Sequence, residues 1–343
     1  MTLKPTNPSR RAALGTLTST LALAAAGCAT ELASGDERNL AAVGRCNCGL
    51  IDVHSHYLPP VYARALQEAG LVTLDGGFPV PRWSEEMALS HMDRHNIETS
   101  MLSVSSPTVG FLKDSRARRL LAREVNVFAA ELVQRKPNRF GAFATLPLPD
   151  VQASLEEIGH ALDVLHLDGV VVETNIHGIY LGDARLDPLF AELNRRRATL
   201  FLHPTSPPCL EAVGLGRPAP ILEFPMDTAR TVTDLVFAGT LTRYPDIRMI
   251  VPHAGGALAA VAERIAGFST LPFIKQRPAG GAEEVKRVLA SLYYDLAGSA
   301  GDSAIERLRR LTSLSHVMFG SDFRSHPPLA LMPMSKDSGD SAA

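Results

Sequence analysis

Short runs of β-branched and apolar residues alternate along most of this chain with longer stretches whose apolar positions recur at helical spacing. The first short run, Leu50–His54, leads through Ser55 to His56 and is stopped by Pro59-Pro60, because proline cannot donate to a ladder. Further strands are predicted at Thr99–Val104, Phe140–Thr145, Gly169–Glu173, Thr199–His203, Ile247–Val251, Leu292–Leu296 and Val317–Gly320. Helices are predicted between them. Ser84–His95 has Ser84 as its cap and Met87, Leu89 and Met92 as its apolar face; Asp114–Arg135 is stopped at Pro137. Others run from Asp150 to about Leu165, over Asp187–Arg196, Asp227–Leu241 and Ala257–Ala266, from about Ala282, and over Asp302–Leu311. Pro204–Pro220 is rich in Pro and Gly and reads as a loop, of a length that is usually functional or mobile.

Strands that alternate with helices argue for βα units and a parallel sheet. Eight such strands predict an α/β fold, a (β/α)8 TIM barrel. The rival is a doubly wound open sheet. What separates the two is where the polar residues fall. His54, His56, Glu173, His203, His253 and Asp322 all lie at or just past strand ends. A barrel gathers those ends at one mouth, whereas an open sheet spreads them along an edge.

Composition narrows the class. With 343 residues, 45% hydrophobic and 20% charged, the chain has the make-up of a soluble globular domain with a full core. A formal net charge of -2 leaves no electrostatic footprint for nucleic acid. Four cysteines in a chain this long are not a disulfide framework. Residues 1–30 read as an export signal: Ser9-Arg10-Arg11 precedes an apolar stretch from Leu17 to Ala26, in a twin-arginine-like order. Ala25-Ala26-Gly27-Cys28 is a partial lipobox, so Cys28 is a candidate lipid anchor and the membrane contact expected of the chain. The protein is then exported, either periplasmic or a membrane-anchored lipoprotein. Residues 31–49 read as a linker that carries Cys46 and Cys48, and 50–323 as the barrel. After Phe323 the run Arg324-Ser325-His326-Pro327-Pro328 and the polar tail to Ala343 are too short and proline-rich for a long closing helix. The barrel is therefore expected to lack its last helix, with lowered stability or lost activity.

The candidate chemistry sits at the strand ends. On an extended strand, residues i and i+2 point to the same side, so His54 and His56 aim two imidazoles at one point. With His203 and Asp322 they make a set of three histidines and one carboxylate on strands one, five and eight, which leaves His253 on strand six free. A divalent ion held this way keeps a position open for water or substrate. Histidine and carboxylate ligands suit zinc first and manganese as the alternative.

These stretches resemble the amidohydrolase superfamily in its mononuclear form. The resemblance rests on Ile51-Asp52-Val53-His54-Ser55-His56, Phe140–Pro147, Phe201-Leu202-His203-Pro204, Pro252-His253-Ala254-Gly255-Gly256 and Phe319-Gly320-Ser321-Asp322-Phe323. Within the superfamily it points to the branch of aminocarboxymuconate semialdehyde, γ-resorcylate and 6-methylsalicylate decarboxylases. Glu223–Thr228 and Tyr180–Asp183 are nearest to the 6-methylsalicylate members. The resemblance implies His54, His56, His203 and Asp322 as ligands of a single metal and His253 as the catalytic histidine, with Asp322 or His253 as proton donor. The fourth strand ends Val172-Glu173-Thr174 and lacks the lysine that bridges two metals in other members. Glu173 then supports a ligand or serves as a structural acid. Arg264 stands where some decarboxylases carry an arginine that reaches the neighbouring subunit's substrate, which implies a homodimer; its other reading is an exposed helix arginine. Trp83 and Phe224 are candidates for aromatic walls or ordinary core.

The expected activity is non-oxidative decarboxylation of a small aromatic or unsaturated carboxylic acid. A mononuclear metal hydrolase of a lactone, amide or ester uses the same residues and is the alternative. A truncated, weakly active or inactive chain is the third reading.

Overall fold

A computed structural model describes residues 49–324. The expectations for the export signal, for Cys28, Cys46 and Cys48, and for a missing last helix lie outside the described residues.

Eight parallel strands follow one another in chain order: β1 (Leu50–His56), β2 (Ile97–Ser103), β3 (Phe140–Thr145), β4 (Gly169–Glu173), β5 (Thr199–His203), β6 (Arg248–Val251), β7 (Tyr293–Asp295) and β8 (Val317–Met318). A small hairpin, Asn175–Ile176 with Ile179–Tyr180, lies outside this numbering. β8 is short, and the segment after it closes the barrel onto β1. Bridges pair Asp52 with Phe319 and Ser55 with Phe323. Val53 N–H donates to Phe319 O at 3.0 Å, His56 N–H to Phe323 O at 2.9 Å, and Asp322 N–H to His54 O at 2.8 Å. Asp52, fully buried, pins the seam from the side: its carboxylate accepts from Ser321 N (3.0 Å), Ser321 Oγ (2.6 Å) and His54 N (3.1 Å).

Most helices fall where the apolar periodicity put them, because each buries one stripe against the strands. Asp114 caps Ser115–Arg135 through Ala117 N, and Ser84 caps Glu85–Arg94 through Met87 N. Three features differ. Pro60–Glu68 is a helix that the strand-stopping prolines hid, since a proline at the first helical position gives up no bond. In Glu85–Arg94, Met92 is buried but Met87 is 40% exposed; Ala88 and His91 complete the inner face. The helix expected at Asp227–Leu241 instead spans Ala219–Phe237, followed by Thr240–Arg243. Pro220 lies in its first turn, where no intrahelical N–H is needed, and the Pro225 carbonyl accepts from Ala257 N–H at 3.1 Å.

Inside the barrel, Val53, Met101, Phe143, Val171, Phe201 and Ile250 pack as one layer, a residue from each of β1 to β6. This layer is the floor under the strand-end polar residues. Around the rim, Asp227 ties together the segments Glu223–Thr228 and Tyr180–Asp183. Its buried carboxylate accepts from Thr174 Oγ1 (2.6 Å), Asn175 Nδ2 (2.9 Å) and Tyr180 Oη (2.6 Å), and it pairs with Arg230. Gly182 N–H reaches Asp234 Oδ2 at 2.7 Å. The hairpin is thereby lashed to the Ala219–Phe237 helix. Gly256 makes the next close approach: its φ is +57°, and a Cβ there would sit 2.5 Å from Pro225 O.

Candidate metal centre

β1 brings its histidines inward by breaking its own alternation. Val53 fills the interior layer, so strict alternation would turn His54 and His56 outward. The β1–β2 register shifts between Asp52 and Ser55, and that irregularity resets the phase. His54 Nδ1 lies 3.0 Å from Asp295 Oδ2, and His56 Nδ1 lies 3.2 Å from Ser103 O. A carboxylate and a carbonyl only accept, so each Nδ1 carries the proton. In their neutral, metal-binding form the two rings turn Nε2 lone pairs toward one another across 3.2 Å, although, against the opposing effect of burial, the Asp295 and Asp322 carboxylates raise the His54 imidazole above its ordinary value. His203, fully buried at the end of β5, has no hydrogen-bond partner at either ring nitrogen among the described residues. Its ring centroid lies 4.9 Å from that of His56. From the closing segment, Asp322 places Oδ1 at 3.1 Å from His56 Nε2 and 3.6 Å from His54 Nε2. His253 Nε2 lies 3.8 Å from Asp322 Oδ2.

Burial pushes the His56 imidazole down to about 4 and holds His203 well below its ordinary value. Both are therefore neutral, the form that binds a metal. Burial opposes ionisation of Asp322, but the Arg324 guanidinium beside it holds its carboxyl well below the usual carboxylate range. Facing lone pairs, an orphaned imidazole and an anionic carboxylate are mutually unfavourable until a cation sits among them. His54, His56 and His203 present ligand atoms within 4.8 Å of one another, as do His54, His253 and Asp322. The donor set fits one divalent ion with a ligand position to spare.

Residues 51–336 match the amidohydrolase family. The chain belongs to that family. It is 38% identical over 290 residues to the decarboxylase yanB of Aspergillus niger, covering 81% of this chain and 77% of that protein. It is 35% identical over 297 residues to the 6-methylsalicylic acid decarboxylase acuB of Aspergillus aculeatus, covering 85% and 89%. The crystal structure of an amidohydrolase II superposes with a TM-score of 0.74 at 33% identity, over 81% of this chain and 88% of that one.

The amidohydrolase cluster gathers all five strand-end residues predicted for it. Arg264 stays apart: it is exposed on the Leu258–Phe268 helix, with its guanidinium 4.3 Å from the Phe268 ring centroid. Phe224 is buried, whereas Trp83 borders a cavity beside His56.

Asp295 is a supporting residue that the sequence reading passed over. Besides holding the proton of His54 Nδ1, it accepts from His253 N and Ala297 N, both at 3.0 Å. One buried carboxylate thus orients a candidate ligand and positions the backbone of the candidate catalytic histidine, as acids behind metal-bound imidazoles do. Its only signal was an acid ending the apolar run Leu292-Tyr293-Tyr294. Gly320 has a steric reason: a Cβ there would lie 2.9 Å from His54 Cβ and 3.3 Å from Asp295 Cβ.

Glu173 ends β4 with Oε1 buried and without a hydrogen-bond partner among the described residues. Burial pushes its carboxyl up to about 8; the Asp75 carboxylate reinforces this, and the hydroxyls of Ser106 and Thr108 oppose it. A carboxyl raised above its unfolded value favours folding while protonated, so the benefit is full below about 4.5 and lost as pH rises through about 8. Glu173→Gln keeps the neutral shape and should not lose it. Each pH unit across that window should cost the wild type at most about 1.4 kcal/mol relative to the variant. Melting both chains between pH 5 and pH 8.5 checks this, and parallel curves would rule it out.

Proposed function

We propose that this chain is a metal-dependent, non-oxidative decarboxylase of small aromatic carboxylic acids, of the 6-methylsalicylate or resorcylate kind. The observation that carries the reading is the convergence of two apposed imidazole lone pairs, the orphaned His203 ring and the Asp322 carboxylate, in a family whose matching members include decarboxylases. His54, His56, His203 and Asp322 would hold one divalent ion, zinc first and manganese as the alternative. That ion supplies Lewis-acid polarisation of a carboxylate or hydroxyl oxygen when bound.

The chain's own residues do the rest. His253 Nε2, 3.8 Å from Asp322 Oδ2, would deliver the proton, because imidazole is the side-chain type suited to general acid catalysis. The proton goes to the ring carbon that bears the carboxylate. The bond from that carbon to the carboxyl carbon then breaks, its electron pair returns to the ring, and carbon dioxide leaves. Asp295 keeps the His253 backbone in place throughout. We further infer a homodimer in which Arg264 reaches the second subunit's substrate, and export directed by residues 1–30; sequence alone supports both. Among the described residues no helix is long and apolar enough to cross a membrane.

The test is a substrate panel on metal-loaded protein. Carbon dioxide release from 6-methylsalicylate or a resorcylate is expected, with one divalent ion per chain by elemental analysis. Turnover of simple lactones without carbon dioxide release would favour the hydrolase alternative.

A further inference from the structure

Arg324 stands two residues after Asp322 and turns its side chain back onto it. Its Nε donates to Asp322 Oδ1 at 2.9 Å, and its Nη2 lies 3.4 Å from Oδ2. The same Oδ1 faces His56 Nε2 at 3.1 Å. A single carboxylate oxygen therefore stands between the guanidinium and a proposed ligand nitrogen. The guanidinium carbon also lies over the Phe78 ring, 5.0 Å from its centroid, on the segment between the Pro60–Glu68 and Glu85–Arg94 helices. The side chain is 14% exposed. Nη1 has no hydrogen-bond partner among the described residues. A guanidinium is always charged and presents five donors in a planar fork. This one spends part of the fork on Asp322 and leaves the Nη1 edge open.

Charge balance gives that edge a use. Asp295 and Asp322 are the carboxylates that meet the imidazoles of the cluster, and one divalent ion balances the pair. Burial is the largest influence on the protonation of His54, His56, His203 and Asp322, and Arg324 adds a positive charge felt at all four. Once the ion is bound, that charge has no counter-charge left within the cluster, which is unfavourable for a largely buried group.

We propose that Arg324 is the substrate-anchoring residue of this site, its Nη1 edge binding the carboxylate of the aromatic acid beside the ion. The proposal rests on the decarboxylase reading and names the residue that orients the acid. A carboxylate accepts from the planar fork with its own two oxygens, a match that a neutral group of the same shape does not make.

The full chain, zinc-loaded, and its Arg324→Met and Arg324→Lys variants are titrated by calorimetry with 2-hydroxybenzoate and with 2-hydroxybenzamide, which differ in the charge of one group. Arg324→Met should bind the acid about 10-fold or more weakly than the wild type, while the amide stays within about 2-fold. Arg324→Lys should recover part of the loss, because it keeps the charge but not the fork. Zinc affinity, read by competition with a chelator, should be unchanged or tighter in Arg324→Met, because a neighbouring cation has been removed. Acid affinity that is unchanged in Arg324→Met, or acid and amide weakened equally, overturns the proposal. So does loss of zinc in that variant, which would assign Arg324 to holding Asp322 instead. If neither compound binds the zinc-loaded wild type, the aromatic-acid reading falls as well.

Discussion

Asp322→Asn is expected to weaken divalent-ion binding by about 100-fold or more and to lower carbon dioxide release at least as much. The bound on the size comes from the supporting shell: removing an acid behind a metal-bound histidine typically costs 10–100-fold in affinity or activity, and a direct ligand should exceed that. Asp322 is the anionic member of the set, facing His56 Nε2 at 3.1 Å and His253 Nε2 at 3.8 Å. Asparagine keeps the shape but removes the charge that balances the cation and the oxygen that faces His253. Asp295→Asn is the graded comparison. It leaves all four proposed ligands but loosens His54 Nδ1 and the His253 backbone, so a loss of about 10–100-fold is expected. Metal content after dialysis against a chelator, together with carbon dioxide release at saturating metal, separates the two. If Asp322→Asn retains stoichiometric metal after that dialysis, its assignment as a ligand fails.

The second large effect is on stability and lies away from the chemistry. Asp227→Ala should destabilise the fold by about 3–5 kcal/mol, the usual cost of breaking a buried charged network by removing one member. Asp227 is fully buried, and Thr174, Asn175, Tyr180 and Arg230 all bond to it. Its removal takes the acceptor from the buried Thr174 hydroxyl and one of two acceptors from the Asn175 amide, which keeps Ser206 O, and loosens the hairpin's hold on the Ala219–Phe237 helix. Arg230 is partly exposed and can turn to water, so its own loss adds little. Denaturant unfolding of the variant beside the wild type measures the difference. A loss under about 1 kcal/mol would mean the network is replaced by water at little cost.

Much of this architecture was legible from local pattern. Alternating strand and helix periodicities come from burying one face of each element, so the eight barrel strands could be read in order. Proline was the main source of error. Pro60 and Pro220 look like breakers in a string of letters, yet each sits in a helix's first turn, where a missing N–H costs nothing. Met87 looked like core, but the orientation of its helix against β2 turned it to solvent.

The chemical composition of the site was written in the chain: His54, His56, His203, His253 and Asp322 each lie near or just past a strand end, and strand ends in a barrel share one mouth. What folding alone decided was which atoms face which. The phase shift in β1 that turns two imidazoles inward comes from its pairing with β2. The Asp295 carboxylate reaches two histidines from a strand that carries no metal-ligand motif. Tyr62 and Trp83 come from separate segments that meet beside His56. Residue type follows from the order of letters; distance, burial and hydrogen-bond partnership depend on segments far apart in that order, and only packing brings those together.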